Sequence, residues 1–158
     1  MNIIFLDVDG VLNNWKDAKE HYERTKKPYW CYDWPFSKKS MKELRKLIKQ
    51  TNAKLVLSST WRNDKIGRKK FKKALRKYRI EYALIGYTKY LDGKRELEIQ
   101  TYLKKLNKKV NFIILDDNEY YFEELKDHLI LINSWEGFNE EDTKKSIQLL
   151  KKQQRGKL

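Results

Sequence analysis

Ile3-Ile4-Phe5-Leu6-Asp7-Val8-Asp9-Gly10-Val11-Leu12 opens the chain with an apolar strand that ends abruptly in two carboxylates separated by one residue, followed by glycine. Alternate side chains of an extended chain share a face. Asp7 and Asp9 are therefore expected to converge at the strand's C-terminal edge, while Gly10 lets the backbone turn sharply away. That geometry suits Mg²⁺ and phosphate: a hard dication takes oxygen ligands, and two close carboxylates repel unless a cation or a shared proton relieves them. Asp and Gly are also ordinary turn residues, so the rest of the chain has to decide.

Downstream, strands and helices alternate. Met41, Leu44, Leu47 and Ile48 form one apolar helical face, and Ser40-Met41-Lys42-Glu43 has capping-box spacing in front of it. Strands are predicted over 54–57, 82–85, 110–115 and 129–132. Helices are predicted around Phe71, Ala74, Leu75 and Tyr78, around Ile99, Tyr102, Leu103 and Leu106, over the short stretch 121–126, and after Asn139 as N-cap. The stretch between the first strand and the first helix reads as polar, aromatic and irregular, and the tail from Lys151 as frayed. This order predicts an α/β fold, a parallel sheet covered by helices on both faces, with the binding crevice beyond the carboxyl ends of the strands. The expected organisation is one domain over 1–150, with an aromatic-rich insertion at about 13–36 and a basic tail at 151–158.

Composition narrows the classes. At 158 residues, 40% hydrophobic and 13% aromatic, the chain supports one ordinary core. A single cysteine, Cys31, excludes an internal disulfide and a multi-cysteine zinc site and favours a reducing, cytoplasmic setting. No apolar run approaches the roughly 18 residues of a membrane span, and no signal-peptide pattern precedes the first strand; no membrane association and a monomer are expected. The net charge of +14 attracts polyanions, nucleic acid among them. The lysines concentrate on helical faces such as Lys69, Lys70, Lys72, Lys73, Arg76 and Lys77, which equally fits solvated helix surfaces.

The strand ends form a set. The first ends in Asp7 and Asp9, the second in Ser58-Ser59-Thr60-Trp61-Arg62, and the 110–115 strand in Asp116-Asp117-Asn118, while Gly93-Lys94-Arg95 opens the third helix. An acid pair, hydroxyls, a cation and a second acid pair thus fall on one edge of one sheet.

In this order the motifs resemble the haloacid dehalogenase (HAD) superfamily of phosphohydrolases: Asp7-Val8-Asp9-Gly10-Val11 its first motif, Leu55-Val56-Leu57-Ser58 its second, Lys94 or Arg95 its third and Leu115-Asp116-Asp117 its fourth. More narrowly, Asp7 to Asn13, Leu57-Ser58-Ser59-Thr60-Trp61-Arg62, the run from Arg95 to Leu103 and Ile114-Leu115-Asp116-Asp117-Asn118 are similar to a small, nearly capless branch, the HAD domains of RNA-repair (Swiss Army Knife) proteins. The resemblance implies a three-layer Rossmann-like fold with a minimal cap. It makes Asp7 the nucleophile that forms an aspartyl-phosphate and Asp9 the acid and base serving the leaving oxygen and then the water. It places the Asp7 carboxylate, the Asp9 carbonyl and a fourth-motif acid on Mg²⁺, with Asp117 aligned to the usual ligand and Asp116 orienting the cation or a water. Ser58, or Ser59 if the strand ends later, is expected to donate to phosphate. Lys94 fits the third-motif cation by residue type and Arg95 by spacing.

The insertion carries Trp15, Tyr22, Tyr29, Trp30, Tyr32, Trp34 and Phe36 and is too short for a full cap domain, leaving the cleft open. Trp30, Trp34 and Arg62 are the expected substrate contacts, the aromatics stacking on bases or forming a small satellite core. The function expected first is a Mg²⁺-dependent phosphomonoesterase acting on a nucleotide or on an RNA or DNA terminal phosphate, as in end repair. A small-metabolite or free-nucleotide phosphatase and a non-catalytic nucleic-acid or phosphate-binding module are the alternatives.

Overall fold

A computed structural model describes residues 1–28 and 33–156. Five strands, β1 (Asn2–Leu6), β2 (Lys54–Leu57), β3 (Leu84–Tyr87), β4 (Asn111–Asp116) and β5 (Leu129–Leu131), form one parallel sheet in the order β3-β2-β1-β4-β5. β1 is central and buried along its whole length, which is why its sequence is continuously apolar rather than alternating.

The helices are α1 (Trp15–Thr25), α2 (Lys38–Thr51), α3 (Lys65–Lys77), α4 (Arg95–Leu106) and α5 (Glu140–Gln154). Side chains alternate across the sheet and define two cores. Ile4 and Leu6 join Met41, Leu44 and Leu47 of α2, Phe71 and Leu75 of α3 and Leu150 of α5 on one face. Ile3 and Phe5 join Ile99, Phe112 and Ile114 on the other, where α4 packs Tyr102, Leu103 and Leu106. The expected three-layer Rossmann-like α/β architecture is therefore the observed one.

Several local expectations are corrected. α1 occupies the stretch read as irregular. It buries no residue, and its few apolar positions, Trp15, Ala18 and Tyr22, share one face among charged side chains; Asn14 caps it by accepting from the Asp17 N–H, and Lys26 ends it in a left-handed conformation. α2 begins three residues earlier than predicted, with Ser37 as N-cap; Ser40 lies inside the helix and is buried. β3 starts at Leu84 because Glu81–Ala83 form a 3-10 turn, and the helix predicted over 121–126 is replaced by two such turns, Glu119–Tyr121 and Lys126–His128. α5 does not fray at Lys151. Its last turn is tied down by Gln153, whose side chain accepts from the Phe112 N–H and donates to the Phe112 carbonyl at 2.8 Å each. No helix among the described residues is long and apolar enough to cross a membrane.

Register sets up the site. Leu6 pairs with Leu57 on one side and with Leu115 on the other, so the next residues, Asp7, Ser58 and Asp116, lie level at one edge of the sheet. The Asp7 N–H donates to the Leu115 carbonyl at 2.9 Å and the Ser58 N–H to the Leu6 carbonyl at 3.0 Å, holding the strand ends together.

Candidate active site

Asp7 has the same parity along β1 as Ile3 and Phe5, the residues facing α4. Arg95, the first residue of α4, meets it there. One guanidinium nitrogen, Nη1, lies 3.1 Å from Asp7 Oδ1 and 3.0 Å from Asp116 Oδ2, and all three residues are buried. Asp116 is fixed further by the Asn118 N–H at 3.0 Å. The ring of Tyr121 flanks the guanidinium, with Cζ 5.3 Å from its centroid. Lys94, the other candidate cation, is exposed at the N-cap position of α4. The geometry thus brings Arg95, not Lys94, to the carboxylates.

Asp7, Asp116 and Asp117 each offer one oxygen within 4.8 Å of the others. Burial, with the Asp7 charge adding to it, pushes the Asp116 carboxyl up to about 8 and the Asp117 carboxyl up to about 6. Three crowded oxygen donors, two of them with the charged form disfavoured for want of a counter-charge, are a fitting seat for a hard dication. Gly10 closes the seat. Its φ is +76°, and a Cβ there would lie 2.1 Å from Asp117 Oδ2, so the turn leaves room for the Asp117 carboxylate only with glycine.

The Asp9 side chain does not join that cluster. The chain leaves extended geometry after β1 in a turn where the Val8 carbonyl accepts from Val11, Leu12 and Asn13. Asp9 instead accepts from Asn13 Nδ2 at 2.8 Å and from Trp61 Nε1 at 3.1 and 3.0 Å. Burial is the largest influence on its carboxyl and raises it from the ordinary value, against the two hydrogen bonds. A carboxyl so oriented and inclined to hold a proton is suited to general acid work.

After β2 the chain winds into a 3-10 turn over Thr60–Asn63. Ser59 caps it by accepting from the Trp61 N–H, whereas the Ser58 hydroxyl is buried without a hydrogen-bond partner. The hydroxyl residue lining the cleft is neither serine but Thr60. It shares an opening of about 230 Å³ with Asp7, Asp9, Trp15, Arg95, Asp117 and Tyr121.

The expectation for Arg62 is corrected. It is 5% exposed, with Nε donating to the Thr88 carbonyl, Nη1 to the Ser58 and Ser59 carbonyls and Nη2 to Glu98. Its donors are engaged within the protein, leaving no free cation for substrate. Glu98 is itself 1% exposed and also accepts from the Leu91 N–H at 2.9 Å. This pair knots the second-motif loop, the chain after β3 and α4 together beneath the cleft. Trp34 is half-buried against Trp15, ring centroids 4.6 Å apart. Trp30 lies outside the described residues.

Residues 3–143 match the family model described as the HAD domain in Swiss Army Knife RNA repair proteins. The chain belongs to that family. Membership makes it a HAD-type phosphohydrolase domain, and its central parallel sheet is the one that fold requires. No match was found among curated proteins or solved structures. Sequence reasoning missed Thr60, Trp61, Asn13 and Glu98 as contributors. Asn13, Thr60 and Trp61 lay inside the motif runs without a role assigned to them, and Glu98 left a positional signal, since it falls three residues after Arg95 and four before Tyr102 on the helix face that packs inward.

Proposed function

We propose that this HAD domain is a Mg²⁺-dependent phosphomonoesterase that works through an aspartyl-phosphate and acts on the terminal phosphate of a nucleotide or nucleic-acid strand. The observation that carries the proposal is the division of labour among the carboxylates. Asp7 is held by Arg95 in a buried cluster with Asp116 and Asp117, while Asp9, the next residue but one, is kept apart by Trp61 and Asn13 with its proton affinity raised.

The chemistry follows from those positions. An Asp7 oxygen attacks phosphorus in line as the bond to the leaving oxygen breaks, and Asp9 gives that oxygen its proton. Asp9, now charged, takes a proton from the incoming water, whose oxygen displaces Asp7 and returns it to the carboxylate. Arg95 steadies the nucleophile and faces the charge on the phosphoryl group, and the Thr60 hydroxyl, which lines the cleft, is a donor available to its oxygens. Asp7 and Asp117, with the Asp9 carbonyl, would hold Mg²⁺, with Asp116 supporting Arg95. The ion supplies positive charge that offsets the repulsion between carboxylates and a phosphate dianion.

The opening beside Asp7, about 230 Å³, suits a phosphoryl end rather than a whole nucleotide, so the rest of the substrate lies outside it. With no large cap over that mouth among the described residues and a net charge of +14, a polymer end is favoured over a small metabolite. A phosphatase screen in Mg²⁺ comparing mononucleotides, sugar phosphates and oligonucleotides with 3′ or 5′ phosphates tests this. Oligonucleotide turnover exceeding the rest is expected. Turnover confined to sugar phosphates, or none at all, overturns it.

A further inference from the structure

A second opening, about 710 Å³ and larger than the catalytic one, runs between the 33–38 segment and α3. Its floor is Trp34, Pro35, Phe36, Ala74 and Tyr78, and its rim is Lys38, Lys70, Lys73, Arg76 and Lys77. Lys70 pairs with Asp33 at 2.7 Å and Arg76 with Glu81 at 2.8 Å. Lys38, Lys73 and Lys77 have no ion-pair partner among the described residues. Positions 70, 73, 74 and 77 of α3 and its C-cap Tyr78 recur at helical spacing, giving one edge of alternating cation and apolar surface about 12 Å long at 1.5 Å per residue.

Two aromatic contacts join this groove to the cleft. Trp34 on its floor packs on Trp15, which lines the cleft beside Asp7. Phe36 packs on Trp61 with centroids 5.1 Å apart, and Trp61 holds Asp9. Phe36 and Trp61 meet in the interior, but exposed Trp15 and half-buried Trp34 meet at the surface, so their ring pair is the link between the groove and the place where a phosphate is proposed to react.

We propose that this groove binds the single-stranded nucleic acid whose phosphorylated end lies at Asp7, bases against the aromatic floor and phosphates along the lysine rim; this deepens the proposed function and rests on it for the position of the end. A floor of flat rings with a cationic edge is how proteins hold single strands without reading sequence. An acidic peptide would share the charge attraction but has no use for continuity with a phosphoryl site.

The experiment measures anisotropy of labelled, unphosphorylated RNA and DNA strands of about eight nucleotides, within the usual single-strand site sizes, alongside p-nitrophenyl phosphate turnover. It compares the unaltered chain with the double variant K73E/K77E, both positions being exposed on α3. The groove reading expects strand affinity to fall at least tenfold in the variant. The slope of log affinity against log salt should become shallower by about 1.4, at about 0.7 for each single-strand phosphate that a lysine no longer neutralises. Turnover of the small ester should stay unchanged. Strand affinity unaltered by K73E/K77E overturns the groove, as does a Glu-rich peptide binding through these lysines where strands do not. Lysine-dependent strand binding without any ester turnover supports the groove and refutes the phosphatase reading.

Discussion

Replacing Glu98 by Ala removes the carboxylate that bonds a guanidinium sealed under the second-motif loop. Arg62 and Glu98 side chains are 3% and 1% exposed, so the charge left behind has no access to water. Breaking one partner of a buried pair costs about 3–5 kcal/mol. For 158 residues at about 2.1 cal/mol/K each, the unfolding entropy is near 0.33 kcal/mol/K, so the melting temperature should drop by about 9–15 °C. Thermal unfolding followed by circular dichroism reads this directly. The double variant Arg62→Met/Glu98→Leu removes both charges and should recover most of the loss. It should not recover turnover, because Arg62 also holds the Ser58 and Ser59 carbonyls. A drop below about 3 °C for Glu98→Ala, the scale of an exposed pair worth no more than about 1 kcal/mol, refutes the idea that this knot supports the site. So does a double variant as unstable as the two single losses combined.

Asp7→Asn should leave the protein folded with less than about a hundredth of its turnover, since loss of an essential nucleophile costs orders of magnitude; greater residual activity refutes the covalent route. Gly10→Ala should weaken Mg²⁺ affinity in a titration, because a Cβ 2.1 Å from Asp117 Oδ2 forces that carboxylate away, and a variant with unchanged affinity removes Asp117 from the ligand set. Asp116 and Asp117 titrate in the folded protein at about 8 and about 6, above the ordinary aspartate value of 3.8, so their contribution to stability without metal is complete below that value and is lost as pH rises through 6 and 8. The rise in melting temperature given by Mg²⁺ should accordingly be larger at pH 8 than at pH 5.5, and an equal rise at both refutes the seat.

The layout of the sheet was legible because β1, β2 and β4 are continuous apolar runs ending at polar clusters, and parallel register then places those clusters level. The choice between Lys94 and Arg95 was also within reach of the sequence: Ile99, Tyr102 and Leu106 mark the buried face of α4, and Arg95 lies four residues before Ile99 on that face. α1 was overlooked although Trp15, Ala18 and Tyr22 recur at helical spacing, because so thin an apolar face among charged residues buries nothing in the core. Thr60 could not be found from spacing, since its place in the cleft depends on the chain entering a 3-10 turn straight after Ser59. The same turn sends Arg62 inward. A cation after a strand end reads as a phosphate ligand until a buried glutamate from a helix 36 residues later claims it.

The contrast between a chain of net charge +14 and a centre of four aspartates has a physical consequence. The lysines that carry the charge lie on exposed helix faces, where salt screens them, and none is among the leading influences on the Asp9, Asp116 or Asp117 carboxyls. Arg95 is the cation within hydrogen-bonding distance of Asp7 and Asp116, so the centre stays electron-rich, and burial answers by raising Asp9, Asp116 and Asp117. Two requirements therefore separate by distance. On the proposed function, the outer field is what gathers a polyanion and is weakened by salt, whereas the inner repulsion against a phosphate dianion is relieved by a cation seated among the carboxylates. On the proposed reading, raising monovalent salt should act on KM for a strand and leave kcat nearly unchanged, while withdrawing Mg²⁺ should act on kcat even for a small ester. Salt and metal acting on the same parameter would mean that surface and centre are not the two independent devices their placement implies.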